Sequence, residues 1–232
     1  MKHIIIVCLL FPLMLLSQSS FDRAQKLYEE GKLEQSQSIF HIILKKDPSN
    51  LKVNEYLGDI AGQYKSWDEA IKYYGKLKEL KASEANFYYK YGGALGMKAL
   101  TVNKFKALGM IDEIKGSFEK AIELDSRHIG ARWALIELYI KLPRIVGGSE
   151  SKAIKYSKEL LKLSPVDGYM SIGRIDEYYK RYKAAELQYK KAIAVGSSAA
   201  SYQMLADLYK NKMGQTEKAK TVMEEFRNKS NR

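Results

Sequence analysis

The chain has 232 residues and a formal charge of +12, from 39 Lys and Arg against 27 Asp and Glu. Apolar residues make up 46% and charged residues 28%, and a single cysteine excludes any disulfide within the chain, so packing alone must hold the fold. So basic a balance points to acidic partners or anionic membrane surfaces, or simply to a solvated Lys/Glu helix surface.

The first nineteen residues stand apart. Met1-Lys2-His3 precede an apolar run from Ile4 to Leu16, and Ser17-Gln18-Ser19 place small residues at −3 and −1 of a cleavage point. This pattern predicts a secretory signal peptide over 1–19, cleaved after Ser19. The run is shorter than the roughly 20 residues that span a bilayer. Cys8 lies inside it with no small residue before it, which argues against lipidation. Cleavage would remove Lys2, His3 and Cys8, leaving His41 and His128 and no thiol. The expected location is outside the cytoplasm, in the periplasm or on the cell envelope. Export argues against a nucleic-acid partner, the usual first thought for a basic chain.

From Ser20 onward the chain reads as helical. Strand-like alternation is rare, and Lys, Glu, Ala, Leu and Tyr dominate the long segments. One triplet recurs at helical spacing i, i+4, i+7: a small or aliphatic residue, usually an aromatic, then an apolar residue. In chain order these are Ser36-Phe40-Ile43, Ala70-Tyr74-Leu77, Ile114-Phe118-Ala121, Ala153-Ser157-Leu160, Ala185-Tyr189-Ala192 and Ala219-Met223-Phe226. Their starts are 34, 44, 39, 32 and 34 residues apart. A second pattern, a helix with a small residue in its middle, precedes them: Leu57-Gly58, Tyr91-Gly92 and Leu205-Ala206, with Leu135 and Tyr139 holding the place in the fourth unit. Turn chemistry follows several triplets, at Pro48, Ser126 and Pro165.

A helix, a turn, a second helix and a period near 34 resemble the tetratricopeptide repeat (TPR). The resemblance covers residues 20–232. It implies an all-α fold, a right-handed superhelical solenoid of about six helix hairpins, with units at 20–50, 51–84, 85–128, 129–165, 166–198 and 199–230. Unit five fits least well, because its first helix, GYMSIGRIDEYYKRY, lacks the usual Leu-Gly pair. In such a stack the aromatics Tyr74, Phe118 and Tyr189 fill the core while Gly58, Gly92, Ala70 and Ala185 let backbones approach.

Nothing in the chain combines a nucleophile, a base and an orienting group, so no enzymatic role is expected. No metal-ligand spacing occurs, and no cofactor is implied. Gly147-Gly148-Ser149-Glu150-Ser151-Lys152 raises the question of a phosphate cradle, but lacks the P-loop spacing. It fits better as a connector in which Pro143 stops one helix and Ser149 or Ser151 caps the next.

The remaining surface is the stack itself. The resemblance implies a concave groove lined by the first helix of each hairpin (helix A), binding a protein or peptide. By register the groove holds Lys52, Glu55, Asp59, Asn86, Tyr89, Trp133, Glu137, Met170, Arg174, Gln203 and Asp207, with Tyr89 and Trp133 as anchors. The carboxylate clamp of chaperone-binding relatives is missing, since its positions in unit two hold Glu55, Tyr56 and Asp59. Units three and four are ten and five residues too long. Helical periodicity at Phe105, Leu108, Ile111 and Ile114 predicts that both helices of unit three are extended and project past the stack. The excess of unit four is a loop with Pro143, Arg144, Gly147 and Gly148. Together these are expected to form a binding ridge.

The leading function is a non-catalytic scaffold or adaptor in the cell envelope, with a protein or peptide partner that the charge would favour as acidic. The alternatives are a small-molecule or lipid carrier, and a binder of acidic polymers or anionic membrane surfaces. The sequence does not specify an oligomeric state.

Overall fold

The computed structural model describes residues 20–230, so the signal peptide expected over 1–19 lies outside the described residues. All regular structure among them is helical: α1 (20–29), α2 (Leu33–Lys46), α3 (Leu51–Gln63), α4 (Trp67–Leu80), α5 (Ala85–Ala99), α6 (Lys104–Leu124), α7 (Ile129–Lys141), α8 (Glu150–Leu163), α9 (Pro165–Tyr178), α10 (Tyr182–Val195), α11 (Ala199–Asp207) and α12 (Thr216–Ser230). Odd-numbered helices are the A helices of successive hairpins and even-numbered helices the B helices. The chain divides into two compact units, one ending at Ser117 and the other starting at Phe118, within α6.

Local chemistry starts and stops these helices. Asn50, His128, Ser164 and Ser198 cap α3, α7, α9 and α11, each side chain accepting an N–H of the first turn. Four of the A-to-B turns share a residue with left-handed backbone: Gly31, Lys65, Lys180 and Gly214. In the second hairpin Ser66 N donates to Ala61 O and Lys65 N to Gly62 O; in the fifth, Arg181 N donates to Asp176 O and Lys180 N to Glu177 O. This is the Schellman closure, which satisfies the last carbonyls of the A helix. The third and fourth hairpins, the two long ones, turn differently.

The core follows the small-to-large pattern. In unit 1, Ala24, Phe40, Val53, Leu57, Ile60 and Tyr73 form one buried cluster, and Ala61, Ala70, Tyr74, Leu77, Phe87 and Ala94 another. In unit 2, Ala185, Tyr189, Leu205, Ala206, Leu208, Tyr209 and Ala219 form a third. A Cβ on Gly58 would lie 2.5 Å from Tyr74 Cε1, and one on Gly173 would lie 2.4 Å from Tyr189 Cε1. In both cases the aromatic follows the glycine by sixteen positions. Unit five therefore does carry the pair, as Ile172-Gly173, and its hairpin packs like that of unit two.

The same register pairs Ala24 with Phe40, where Ser36 Oγ donates to Ala24 O at 2.8 Å. In the fourth hairpin, allowing for its five extra residues, it pairs Ile136 with Ser157, both fully buried. There the sizes are exchanged, with the bulk on helix A and the small residue on helix B. Ser157 Oγ is left without a hydrogen-bond partner. In the last hairpin a π-helical turn, Leu208–Lys212, adds one residue, and Ala206 pairs with Met223 at seventeen.

Unit three departs from expectation in how it uses its extra length. α5 has 15 residues against 13 in α3 and in α7, while α6 has 21 against 14 in α2, α4, α8 and α10. The insertion is thus absorbed mainly by two added turns on helix B. Ile114 and Phe118 of α6 are buried, and exposure rises towards its N-terminal end.

Candidate interaction surface

The A helices carry all eleven predicted groove residues, and within each unit several of these bond to the neighbouring A helix. In unit 1, Lys90 of α5 reaches Glu55 at 2.7 Å and Asp59 at 2.8 Å, both on α3. Tyr74 of α4 donates its hydroxyl to Asp59 at 2.6 Å. Burial disfavours the charge on Lys90, but the Asp59 and Glu55 carboxylates outweigh it and raise its pKa. Burial and then the Asp59 carboxylate push the Tyr74 phenol far up.

In unit 2, Arg174 of α9 donates from Nε to Glu137 of α7 at 2.8 Å and from a terminal nitrogen at 3.3 Å. Lys141 reaches the same carboxylate at 2.8 Å. Burial would raise the Glu137 pKa, but Lys141 and Arg174 hold it below the ordinary value. Trp133 Nε1 donates to Asp167 of α9 at 2.8 Å. Tyr189 donates to Glu177 at 2.8 Å, repeating the bond from the B-helix tyrosine to an A-helix carboxylate.

The predicted residues therefore fall into three sets. Glu55, Asp59, Trp133, Glu137 and Arg174 are half-buried rungs of these two cross-helix ladders. Met170 is only 7% exposed, so it belongs to the packing of α9 and not to an open face. It lies three positions before Gly173, on the side of α9 that also buries Ser171 and Ile175. Lys52, Gln203 and Asp207 are exposed, and Asn86 and Tyr89 are partly exposed. These five keep surface that a partner could touch. His41 sits in the middle of α2 and faces solvent.

The Gly-Gly turn is not an anion cradle. After Pro143, a short 3-10 turn over Arg144–Val146 leads to Gly147, whose φ of +97° favours glycine. A Cβ on Gly148 would fall 1.8 Å from Leu142 O. Gly147 N, Gly148 N and Ser149 N donate to Arg144 O, Pro143 O and Tyr139 O. The amides a phosphate would need are spent on closing the turn, and Ser149 caps α8 by accepting from Lys152 N. Pro143, Arg144 and Gly147 remain exposed.

One feature is not recognisable from the sequence. At the α5–α6 tip, Phe105 is 87% exposed, Leu100 77%, Leu108 44% and Met97 43%. The periodicity of this segment is helical, but periodicity does not show whether anything covers the stripe.

A hollow of about 830 Å³ in unit 1 is lined mainly by α2 and α4 residues, including Lys45, Lys72, Lys76, Glu69 and Glu79, with Asn54 of α3 and Tyr91 of α5. It is open and charged, unlike the enclosed apolar cavity a lipid carrier needs.

No protein-family model matches the sequence, and no curated protein matches it. Solved structures do. The type IV pilus biogenesis factor PilW superimposes with a TM-score of 0.64 at 17% identity, covering 92% of this chain and 93% of that one. A thermophilic TPR protein from Thermus thermophilus gives 0.62 at 14% identity, covering 89% and 98%. YrrB, a TPR protein described as having an unusual peptide-binding site, gives 0.53 at 16% identity, covering 78% and 87%. The fold is that of the tetratricopeptide repeat. At these identities the likeness speaks for the fold alone, and it matches the hairpin-by-hairpin packing described above.

Proposed function

We propose that this TPR-fold protein is a non-catalytic scaffold of the cell envelope that holds a protein or peptide partner along its A-helix faces. The observation that carries the reading is the pair of A-helix ladders. They fix α3 beside α5 and α7 beside α9, while Lys52, Asn86 and Tyr89 on α3 and α5, and Gln203 and Asp207 on α11, keep exposed surface. A face held in register by its own ion pairs is pre-organised, and that lowers the entropic cost of binding. Tyr89 supplies a large, rigid contact of the kind that dominates interface energies.

Two proteins with this fold, a TPR protein with an unusual peptide-binding site and a type IV pilus biogenesis factor, agree with a binding role. The envelope location rests on the apolar leader over 1–19, and an acidic partner would suit the charge of +12.

The test is capture of partners by the tagged chain from its own cells, alongside Tyr89→Ala/Gln203→Ala. A prey that is retained by the parent and lost by the variant supports the reading. A prey set identical for both would refute it. Intact mass of the recovered chain tests export separately, since processing should remove residues 1–19.

A further inference from the structure

The α5–α6 tip is the part of unit 1 whose chemistry the scaffold reading does not use. Its backbone is held by local bonds. Thr101 Oγ1 donates to Lys98 O at 2.8 Å, and Asn103 Oδ1 accepts from Lys106 N at 3.0 Å, closing α5 and opening α6. Gly96 and Ile114 approach one another where the two helices meet below the tip. Above that contact, Leu100, Phe105, Leu108 and Met97 stand in solvent.

The tip segment itself carries charge of one sign, although Asp68 and Glu69 at the start of α4 lie beside Lys98 and Thr101. From Ala85 to Ile111 the chain has no Asp or Glu and carries Lys90, Lys98, Lys104 and Lys106. Lys90 is held by the α3 carboxylates and Lys98 by Asp68. Lys104 and Lys106 flank Phe105, are exposed, and form no ion pair among the described residues.

We propose that this tip is a peripheral contact for an anionic lipid bilayer, with Leu100 and Phe105 entering the headgroup–acyl boundary and Lys104 and Lys106 meeting the headgroup charge. A convex turn offers no groove for a peptide, whereas a bilayer yields around it. Apolar side chains between snorkelling lysines are suited to that boundary. No helix among the described residues is long and apolar enough to cross a membrane.

The experiment places a reporter at the tip of the full chain. Phe105→Trp is mixed with vesicles of phosphatidylcholine, with or without phosphatidylglycerol, carrying brominated acyl chains. Its emission is compared with that of the parent, which has Trp67 and Trp133. The expected result is extra quenching at position 105 on phosphatidylglycerol vesicles only. Lys104→Gln/Lys106→Gln on the same background should weaken that signal by roughly 30-fold in lipid concentration, from two lysines near an anionic surface. A site-specific reporter is needed because the leader could hold the chain to vesicles by itself. Sedimentation with vesicles without extra quenching at 105 would overturn the proposal, as would equal quenching on neutral vesicles. So would a concentration-dependent blue shift without lipid that tracks dimer formation in sedimentation velocity, which would make a second copy the occupant.

Discussion

On α3 and α5, Glu55, Asp59 and Lys90 satisfy one another across two helices, whereas at the far end of α5 Leu100 and its neighbour Phe105 touch little but solvent. The first region holds neighbouring A helices together and borders the face proposed for a partner. The second contributes little to the stack and is where the bilayer contact is proposed. α6 makes the contrast within one helix, because Phe118 near one end is buried and Phe105 at the other is 87% exposed.

That contrast can be tested most strongly by truncating both rings. Phe118→Ala should cost about 3–5 kcal/mol through lost burial and the cavity left behind. Phe105→Ala should stay within about 0.5 kcal/mol, as an exposed substitution does. Denaturant unfolding measures both, and comparable losses would mean that the tip is packed after all.

A second experiment probes the exchanged sizes in the fourth hairpin. Ser157→Tyr alone overpacks against Ile136 and should cost about 1–3 kcal/mol or more. Ile136→Gly alone should also destabilise. Together they rebuild the pairing of Gly58 with Tyr74, so the double variant should recover part of the loss, with a coupling of about 0.5–3 kcal/mol. Simple additivity would remove Ile136 and Ser157 as partners.

Lys90→Met weakens a ladder and leaves the Glu55 and Asp59 carboxylates without their cation. Both carboxylates are partly exposed, so solvent screens the penalty to about 1–2 kcal/mol, between the values for surface and buried pairs. Added salt should narrow the gap between parent and variant in thermal melts. A gap that does not change with salt would point to lost packing of the lysine stem instead.

The smallest effect concerns His128, whose Nδ1 accepts from Ala131 N at 3.1 Å as the cap of α7. Burial first, and also Arg132, lowers its pKa below the ordinary 6.5 against the opposing pull of Asp125. A base with a depressed folded pKa contributes stability that is present above its unfolded value and lost as pH falls through the folded one. Between neutral pH and pH 5 the parent should therefore lose stability that His128→Asn, another good cap, keeps. Parallel pH profiles would contradict this.

Much of the fold can be read from spacing, because the triplets place a buried small or aliphatic residue seven positions before a second apolar one and leave room for one ring or its substitute. Three things cannot. Ile172-Gly173 does the work of Leu57-Gly58, but only the Gly173–Tyr189 contact shows the equivalence. The π turn at Leu208–Lys212 shifts register by one residue without any composition signal. Met170 reads as a groove residue by register alone, because its helix face is fixed only once Gly173 is recognised as the packing point. Of the surface, the charged residues are legible as polar A-helix positions. Their pairing into ladders is not, because it depends on how far one A helix lies from the next. Phe105 and Leu108 are visible as a stripe, and their exposure is not.

The central claim is that a protein partner lies on the A-helix faces. Photo-crosslinking in the native cells tests it most directly, with a benzophenone side chain placed singly at Tyr89, at Gln203 and at Lys45 on the B-helix side. The account predicts discrete protein adducts from positions 89 and 203 and none from 45. An adduct from Lys45 alone, or equal adducts from all three positions, would contradict it.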